Sequence, residues 1–305
     1  MVAFILRRCV ALIVVLWCVI TITFFLVRLA PGGPFSRERK IPPAIEQQLL
    51  ARYKLDGTLW QQYSDYLSDL VRGDLRLSTK YRDRSVNELI ADSLPVSGIL
   101  GLTAFLIATT AGIWLGSLAA VRHHTAIDTA SMFAALGLIS LPTFVTGPIL
   151  VLMFALWLKW LPVGGWSSWT SLILPAITLA GPYIAYIARL MRSSMLEVLG
   201  QDFIRTARAK GLTDSRVVAR HALKVALLPV VSFLGPLAAN LLTGSIVVET
   251  IFNIPGMGGF FVHSILNRDV FLLVGVVIVY CVILVVLNLI VDIAYSVLDP
   301  RIRLQ

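Results

Sequence analysis

Apolar residues are concentrated in six long stretches, which shorter polar segments separate. Each stretch has at least 20 residues. A helix of about 20 residues, rising about 1.5 Å per residue, crosses the roughly 30 Å hydrocarbon core of a bilayer. Since the stretches are also nearly uncharged at their centres, the pattern predicts an all-α polytopic membrane protein with six transmembrane helices. The stretches are residues 9–30, 96–121, 129–158, 171–190, 226–250 and 271–298.

The polar segment after the first stretch differs in chemistry from the rest of the chain. Residues 31–95 hold 19 of the 43 charged side chains, ten basic and nine acidic. Apolar residues recur at helical spacing over 43–53 and 58–71, which predicts two amphipathic helices. Because so many charges are too costly in lipid, we expect a helical extracytoplasmic insertion. The predicted division is a first part, residues 1–95, and a core of five helices, residues 96–305.

The composition supports membrane insertion and excludes several classes of function. Of all residues, 57% are hydrophobic and 14% are charged, whereas soluble domains carry about 25% charged residues. The three cysteines lie in apolar runs and the four histidines lack metal-ligand spacing, so neither a disulfide framework nor a metal site is expected. No Gly-x-Ser-x-Gly or His-Glu-x-x-His motif supports an intramembrane enzyme. The formal charge of +9 is interpreted as a signal of topology, not of nucleic-acid binding.

The basic residues of the short loops predict the orientation in the membrane. With the N-terminus inside, the segments 122–128, 191–225 and 299–305 are also inside, and most short-loop Lys and Arg lie there. The two short outer loops carry only Lys159 and Arg268. Because basic residues are retained on the cytoplasmic side, both termini are predicted to be cytoplasmic. The first apolar run exceeds a typical signal-peptide core, so we expect an uncleaved span.

The cytoplasmic segment 191–225 is the most informative polar stretch. Counted from Arg189, it contains eight basic and three acidic residues. Its middle favours a helix that Gly211, suited to a left-handed backbone, would close, and Asp214 is placed to cap a second short helix. The composition leaves two interpretations open. The segment is either a solvated basic loop that fixes orientation or a docking element that protrudes from the membrane.

The middle of this loop resembles the EAA motif of permease subunits in ATP-binding-cassette (ABC) importers. In that motif Glu-Ala-Ala is followed, after three residues, by Gly. Here Arg205-Thr206-Ala207 takes the place of Glu-Ala-Ala, and Gly211 keeps the spacing. His221 begins a His-Ala-Leu-Lys sequence that replaces the usual Ile-x-Leu-Pro. This variant resembles the peptide, nickel and glutathione branch, and the whole chain is most similar to the B subunits of oligopeptide permeases.

The resemblance implies a type I ABC importer permease fold in a bacterial inner membrane. The chain would translocate peptides, and oligopeptides in particular, that an extracytoplasmic binding protein delivers. The implied partners are a second, homologous permease subunit, two ATP-binding subunits and the binding protein, with no nucleic acid. Because the sequence has no Gly-Lys-Ser/Thr phosphate loop, we expect no enzyme activity and no cofactor here, with ATP and Mg²⁺ bound by the partners. The resemblance assigns contact with the ATPase to Arg205, Thr206, Ala207, Arg208, Ala209, Lys210, Gly211 and His221.

Two polar residues of the fifth stretch are candidates for the translocation path. Glu249 lies near the outer end, where a carboxylate would meet a peptide amine, although an interfacial side chain is the simpler interpretation. Asn240 also suits a hydrogen bond between helices. Alternative cargoes in the same class are dipeptides, glutathione and nickel. A secondary transporter would show an inverted repeat and charged residues at mid-membrane, and a membrane-anchored scaffold would not need six spans.

Overall fold

A computed structural model of the chain describes residues 2–29, 43–242 and 245–298. Residues 30–42, which include the start of the predicted outer insertion, and the basic C-terminal segment, 299–305, lie outside the described residues. The α-helices are α1 (Val2–Leu29), α2 (Pro43–Arg52), α3 (Leu59–Val71), α4 (Val86–Val121), α5 (Ala126–Ser140), α6 (Thr143–Leu150), α7 (Ile173–Leu199), α8 (Asp202–Ala209), α9 (Asp214–Arg216), α10 (Leu223–Ala226), α11 (Leu228–Leu242), α12 (Ile246–Ile251), α13 (Met257–Asn267) and α14 (Val270–Leu298). Val151–Trp157 and Val217–Ala222 are π-helical, and Trp169–Leu172 is a 3₁₀ helix.

Four helical segments of the described chain are long and apolar enough to cross a membrane on their own. They correspond to the first, second, fourth and sixth predicted stretches. The third stretch is formed by one bent helix pair, and a second bent pair, Asp214–Ala226 with Leu228–Leu242, overlaps the fifth stretch only from Ala226 onward; six spans result if each pair counts as one. The four continuous segments are Val10–Leu29, Val86–Val121, Trp169–Leu199 and Val270–Ile290.

The third apolar stretch differs from a single straight helix. The chain bends by 107° between the helical segments Ala126–Ser140 and Thr143–Trp157. Leu141 between them is extended, with φ −96° and ψ 120°, because a following proline disfavours the helical conformation. Pro142 also has no N–H to donate to the preceding turn. The bend therefore has a local cause at Leu141 and Pro142.

The fifth apolar stretch is also interrupted. At its start, the helical segment Asp214–Ala226 is bent by 52° relative to Leu228–Leu242. The bend lies at Leu227, which is two residues before Pro229. The helix α11 ends at Leu242, and the short helix α12 follows from Ile246. The predicted span 226–250 thus contains two separate helices in the described structure.

The chain divides into two compact units. Unit 1 comprises Met1–Ser97 and Pro255–Val285, and unit 2 comprises Gly98–Ile254 and Val286–Gln305. The core of unit 1 joins α1, α3, the start of α4 and the start of α14 through buried apolar side chains. The aromatic members include Phe24, Tyr66 and Phe271, each 1% exposed. Close packing, rather than transfer from water, holds such side chains between membrane spans, and this cluster fixes α3 against the spans of unit 1. The other buried members are Ile20, Leu75, Val86, Leu89, Ile90, Met257, Leu272, Val274, Val276 and Ile278.

A buried ion pair supplements this core. Arg76 Nε donates to Asp69 Oδ2 at 2.8 Å, and Lys54 Nζ lies 3.2 Å from the same oxygen. The Arg76 guanidinium also lies 5.5 Å from the Tyr66 ring centroid and 5.4 Å from that of Phe271. Burial raises the pKa of Asp69, but the hydrogen bonds from Arg76 and Lys54 outweigh it, so the pKa lies below its usual range. The pair therefore connects the end of α3 to the loop after it.

Unit 2 is organised around α7, whose buried face is rich in small residues. Ala180, Ala185 and Ala188 are completely buried, and small side chains let neighbouring helices approach closely. A side chain at Gly116 would lie 2.3 Å from the Ala188 carbonyl oxygen. At Gly101 it would lie 2.2 Å from that of Leu241. Glycine is required at both positions because backbones meet there.

Candidate functional site

The candidate site is the basic segment 191–225, which begins where α7 continues beyond its apolar part. The helix extends to Leu199, nine residues past the predicted end of the fourth stretch. Met191 and Met195 are completely buried and Val198 is 4% exposed. These side chains hold the last turns of α7 against unit 2. The segment that follows therefore starts from a fixed base.

The helix α8 is short and strongly amphipathic. Ile204 is completely buried and Ala207 is 7% exposed, and this spacing of three places both on one face. Asp202 lies in the first turn and Arg208 in the last, where each charge is favourable to the helix dipole. We expect Ile204 and Ala207 to hold α8 on unit 2 while its opposite face meets solvent. The exposed residues of α8 and its end are Asp202, Phe203, Arg205, Thr206, Arg208, Ala209, Lys210 and Gly211.

The end of α8 has the backbone that the sequence predicts. Gly211 has φ +79°, in the left-handed region that glycine adopts without a steric penalty. Its N–H donates to the Arg208 carbonyl oxygen at 2.9 Å, and the Leu212 N–H donates to that of Ala207 at 3.4 Å. A side chain at Gly211 would find nothing within 4 Å. The glycine is thus required by conformation and lies on an open surface.

The predicted role of Asp214 as a cap is wrong. Thr213 occupies the position before α9, and Asp214 is the first helical residue, with no side-chain cap. The Asp214 carboxylate instead accepts a hydrogen bond from Arg208 Nε at 3.1 Å. This exposed pair connects the end of α8 to the start of α9. Because it is solvated, it contributes at most about 1 kcal/mol.

The second half of the loop is an irregular helix with a regular buried side. It comprises α9, the π-helical turn and α10, and Val217, Ala222 and Ala226 are completely buried. The half-buried His221 lies in the π-helical turn. The six cations of the segment that lie on the exposed side are Arg205, Arg208, Lys210, Arg216, Arg220 and Lys224. With Glu197, Asp202 and Asp214 as the exposed acids, this surface is net positive and favours an acidic partner.

A charged cluster that the sequence analysis did not single out lies beside the last part of α7. Asp128, in the first turn of α5, is 5% exposed. Arg192 donates to it twice, from Nε at 2.6 Å and from Nη2 at 2.8 Å. His123 Nδ1 lies 2.9 Å from Asp128 Oδ2. The sequence signal was an acid just after the His-His turn, but nothing local pointed to Arg192 as its partner.

The two candidates for the translocation path lie in different helices. Asn240 is exposed on α11, and its Oδ1 accepts a hydrogen bond from the Tyr183 hydroxyl at 3.0 Å. Glu249 lies on α12 and is 2% exposed. A role of either residue in the path stays a prediction. Among the described residues, no group of three His, Cys, Asp or Glu is arranged to hold a metal ion.

Solved structures show the class of fold. The chain resembles a structure titled "Inward facing conformations of the MetNI methionine ABC transporter", with TM-score 0.59 and 14% identity over 69% of this chain and 96% of the other. An amino acid ABC transporter structure matches with TM-score 0.54 and 16% identity, over 69% and 94%. The chain, whose described elements are helices, therefore has the fold of type I ABC importer permeases.

Sequence comparison shows the family. Residues 112–304 match the model of the binding-protein-dependent transport system inner membrane component, and residues 1–98 match the N-terminal model of the same system. The chain belongs to this family of inner-membrane permease components.

Curated relatives match over the full length. The oligopeptide transport system permease protein OppB of Haemophilus influenzae is 47% identical over 99% of this chain and all of the relative. OppB of Escherichia coli K12 is also 47% identical, over 99% and 100%. The dipeptide transport system permease protein DppB of Bacillus subtilis is 43% identical, over 100% and 99%.

Proposed function

We propose that this chain is a permease subunit of an ABC importer that translocates peptides, with oligopeptides as the main cargo. The observation that supports this choice of cargo is the 47% identity to OppB proteins over nearly the whole chain. The matches extend through both units and are not confined to the loop. Dipeptides stay the alternative cargo, because a DppB protein is 43% identical.

The loop 191–225 is the proposed contact with an ATP-binding subunit. Its exposed cations would pair with acidic residues of the ATP-binding subunit. The small residues Ala209 and Gly211 would let the backbone of that subunit approach closely. Ile204 and Ala207, which face the rest of unit 2, would pass a displacement of α8 into the membrane part. Residues 191–225 are called the coupling loop from here on.

The proposed assembly contains four membrane-associated chains and a soluble one. A second, homologous permease subunit completes the pathway, and two ATP-binding subunits bind ATP and Mg²⁺ and hydrolyse the nucleotide. An extracytoplasmic binding protein delivers the peptide. With no phosphate loop in its sequence, this chain contributes no hydrolysis of its own. In the proposed orientation both termini and the coupling loop are cytoplasmic, since the basic short loops favour that side.

Reconstitution tests this proposal. The complex of both permeases and both ATP-binding subunits is placed in vesicles and supplied with binding protein loaded with either a pentapeptide or a dipeptide. We expect ATP-dependent accumulation of the pentapeptide, abolished when the phosphate-loop lysine of the ATP-binding subunits is replaced. Accumulation of the dipeptide alone would establish the alternative cargo. Uptake driven by an ion gradient without ATP would contradict the proposed class.

A further inference from the structure

Asp128 is a buried carboxylate with an unusually complete set of donors. It is 5% exposed and accepts two hydrogen bonds from Arg192, at 2.6 and 2.8 Å. The His124 backbone N–H donates to Oδ2 at 3.3 Å, and His123 Nδ1 is 2.9 Å from the same atom. A bidentate pair of this kind fixes orientation as well as distance. The pair therefore constrains how the start of α5 lies against α7.

The pair lies close to the base of the coupling loop. Arg192 is seven residues before the end of α7, or about 10 Å along a helix that rises 1.5 Å per residue. The helix α8 begins three residues after that end. Between Arg192 and α8, the buried Met195 and Val198 hold α7 within unit 2. A displacement of α8 would therefore reach Arg192 across Gly200 and Gln201 and then along the last turns of α7.

Asp128, the other member of the pair, lies on the helix that ends at a sharp bend of unit 2. Asp128 is in the first turn of α5, and α5 ends at Ser140, where the chain turns by 107° into α6. The Asp128–Arg192 pair is thus a polar connection between the helix that carries the coupling loop and the broken third stretch. The carboxylate is almost completely buried, whereas the Arg192 side chain is 26% exposed, so water reaches the guanidinium more readily than it reaches Asp128.

We propose that Asp128 and Arg192 are a positioning pair that transmits displacement of α8 through α7 to α5 and the bend at Leu141–Pro142. The inference rests on the proposed function and adds a route by which ATP hydrolysis would be coupled to the spans. The competing interpretation is a static ion pair that stabilises unit 2 and transmits nothing. Spatial position between two elements does not by itself establish coupling, so the two roles must be separated by experiment.

The test compares single and double variants in the reconstituted complex. Arg192→Gln leaves the buried Asp128 uncompensated and Asp128→Asn leaves the partly exposed Arg192 without its carboxylate, whereas the double variant removes both charges. A double-mutant cycle therefore separates stability from coupling. For each variant, the melting temperature of the purified complex is measured together with the ratio of ATPase activity with and without peptide-loaded binding protein. Thr129→Ala, at the exposed neighbour of Asp128, is the matched control.

A positioning role predicts that the double variant regains most of the melting temperature lost by the single variants but not the stimulation. We expect the stimulation ratio to fall by about fivefold in both single variants and in the double variant, a typical size for coupling between sites. Recovery of both quantities in the double variant would overturn the proposal. Normal stimulation in the single variants would do the same.

Two further measurements keep the outcome decisive. Arg192→Lys keeps the charge but loses the two-pronged geometry, so it should assemble even if the other variants do not. Its stimulation ratio should be reduced, and a wild-type ratio would contradict the positioning role. The wild-type complex is assayed in parallel. Without peptide-dependent stimulation of the wild type, the proposed function itself fails, whereas a responsive wild type with equally responsive variants refutes only the positioning pair.

Discussion

At the scale of single residues, Gly211 shows how a local requirement is visible in sequence and then refined by structure. Its position after a short helix predicted the left-handed backbone, and φ +79° confirms it. The structure adds that a side chain there would meet nothing within 4 Å in this chain. Conformation and close approach of a partner therefore make different demands on this residue.

Substitution at Gly211 separates these demands. Gly211→Val should reduce peptide-stimulated ATPase activity about five- to tenfold, because a β-branched residue pays roughly 1–2 kcal/mol in the left-handed region. Gly211→Asn should keep at least about half of the activity, since Asn tolerates that region. The measurement is the stimulated rate per assembled complex. If Asn proves as harmful as Val, backbone conformation is not the reason for glycine, and close contact with the partner is.

Asp69 gives a prediction that depends on pH. Its pKa is lowered in the folded state by Arg76 and Lys54, so the stabilisation is present above the unfolded pKa of about 3.9 and lost as pH falls through the folded value. Asp69→Asn should cost about 3–5 kcal/mol at pH 7 because Arg76 is left buried without its carboxylate. The exposed Asp65 on the same helix supplies the control, Asp65→Asn, with little effect.

The check on Asp69 is thermal unfolding of the purified complex over a range of pH. The difference in melting temperature between wild type and Asp69→Asn should be largest near neutral pH and shrink below about pH 4, as the wild-type carboxyl is protonated. A difference that stays constant down to pH 3 would show that the ion pair is not its source.

At the scale of elements, α3 illustrates how a polar segment becomes part of a membrane protein. Thr58 and Gln61 form a reciprocal cap at its start, worth about 1 kcal/mol. One face then buries Tyr66 in the core of unit 1, while exposed polar residues such as Asp65 and Ser68 lie on the other. The amphipathic pattern over 58–71 therefore predicted this helix correctly, because its periodicity is a local property.

The outer insertion is expected to help receive the binding protein. Arg82 is exposed, whereas Arg84 pairs with Asp92 and lies 3.8 Å from Glu88, so Arg82 is the cleaner residue to test. Arg82→Glu should raise the concentration of binding protein needed for half-maximal ATPase stimulation about threefold and leave basal activity unchanged, because rim charges act mainly on association. Arg216→Glu, in the coupling loop, should instead weaken assembly with the ATP-binding subunit.

Titrations at several salt concentrations decide this prediction. A surface contact between charges weakens with ionic strength, so the gap between wild type and Arg82→Glu should close at high salt. Identical titrations at all salt concentrations would indicate that the insertion at Arg82 is a spacer that shields the unit beneath it.

At the scale of the whole molecule, the orientation in the membrane can be tested by labelling. In a background with the native cysteines replaced by serine, cysteines introduced at Ser68 and Ser167 should react with an impermeant reagent added to intact cells. A cysteine at Ser215 should react only after the membrane is opened. All three positions are exposed, whereas Ser264 is 1% exposed and would be shielded. Labelling of Ser215→Cys in intact cells would reverse the proposed orientation.

The sequence alone determined the features that depend on neighbours in the chain. Long apolar stretches predicted the helical spans, periodicity predicted α3, and the basic loop with Gly211 predicted the short helix α8 and its end. Each of these follows from side-chain spacing or backbone preference over a few residues. The same locality made the bend beside Pro142 understandable, although its angle of 107° depends on what α5 and α6 pack against.

The tertiary structure alone decided the features that depend on distant partners. Asp128 and Arg192 are 64 residues apart, and no local pattern connects them. The partner of Asp214 is near in sequence, yet the turn at Gly211 has to form before Arg208 comes within reach of the Asp214 carboxylate. The burial of Glu249 likewise depends on packing around α12 and not on its position in an apolar run. The physical reason is that pairing and burial are set by which helices meet, and a single chain's local pattern leaves those contacts unspecified.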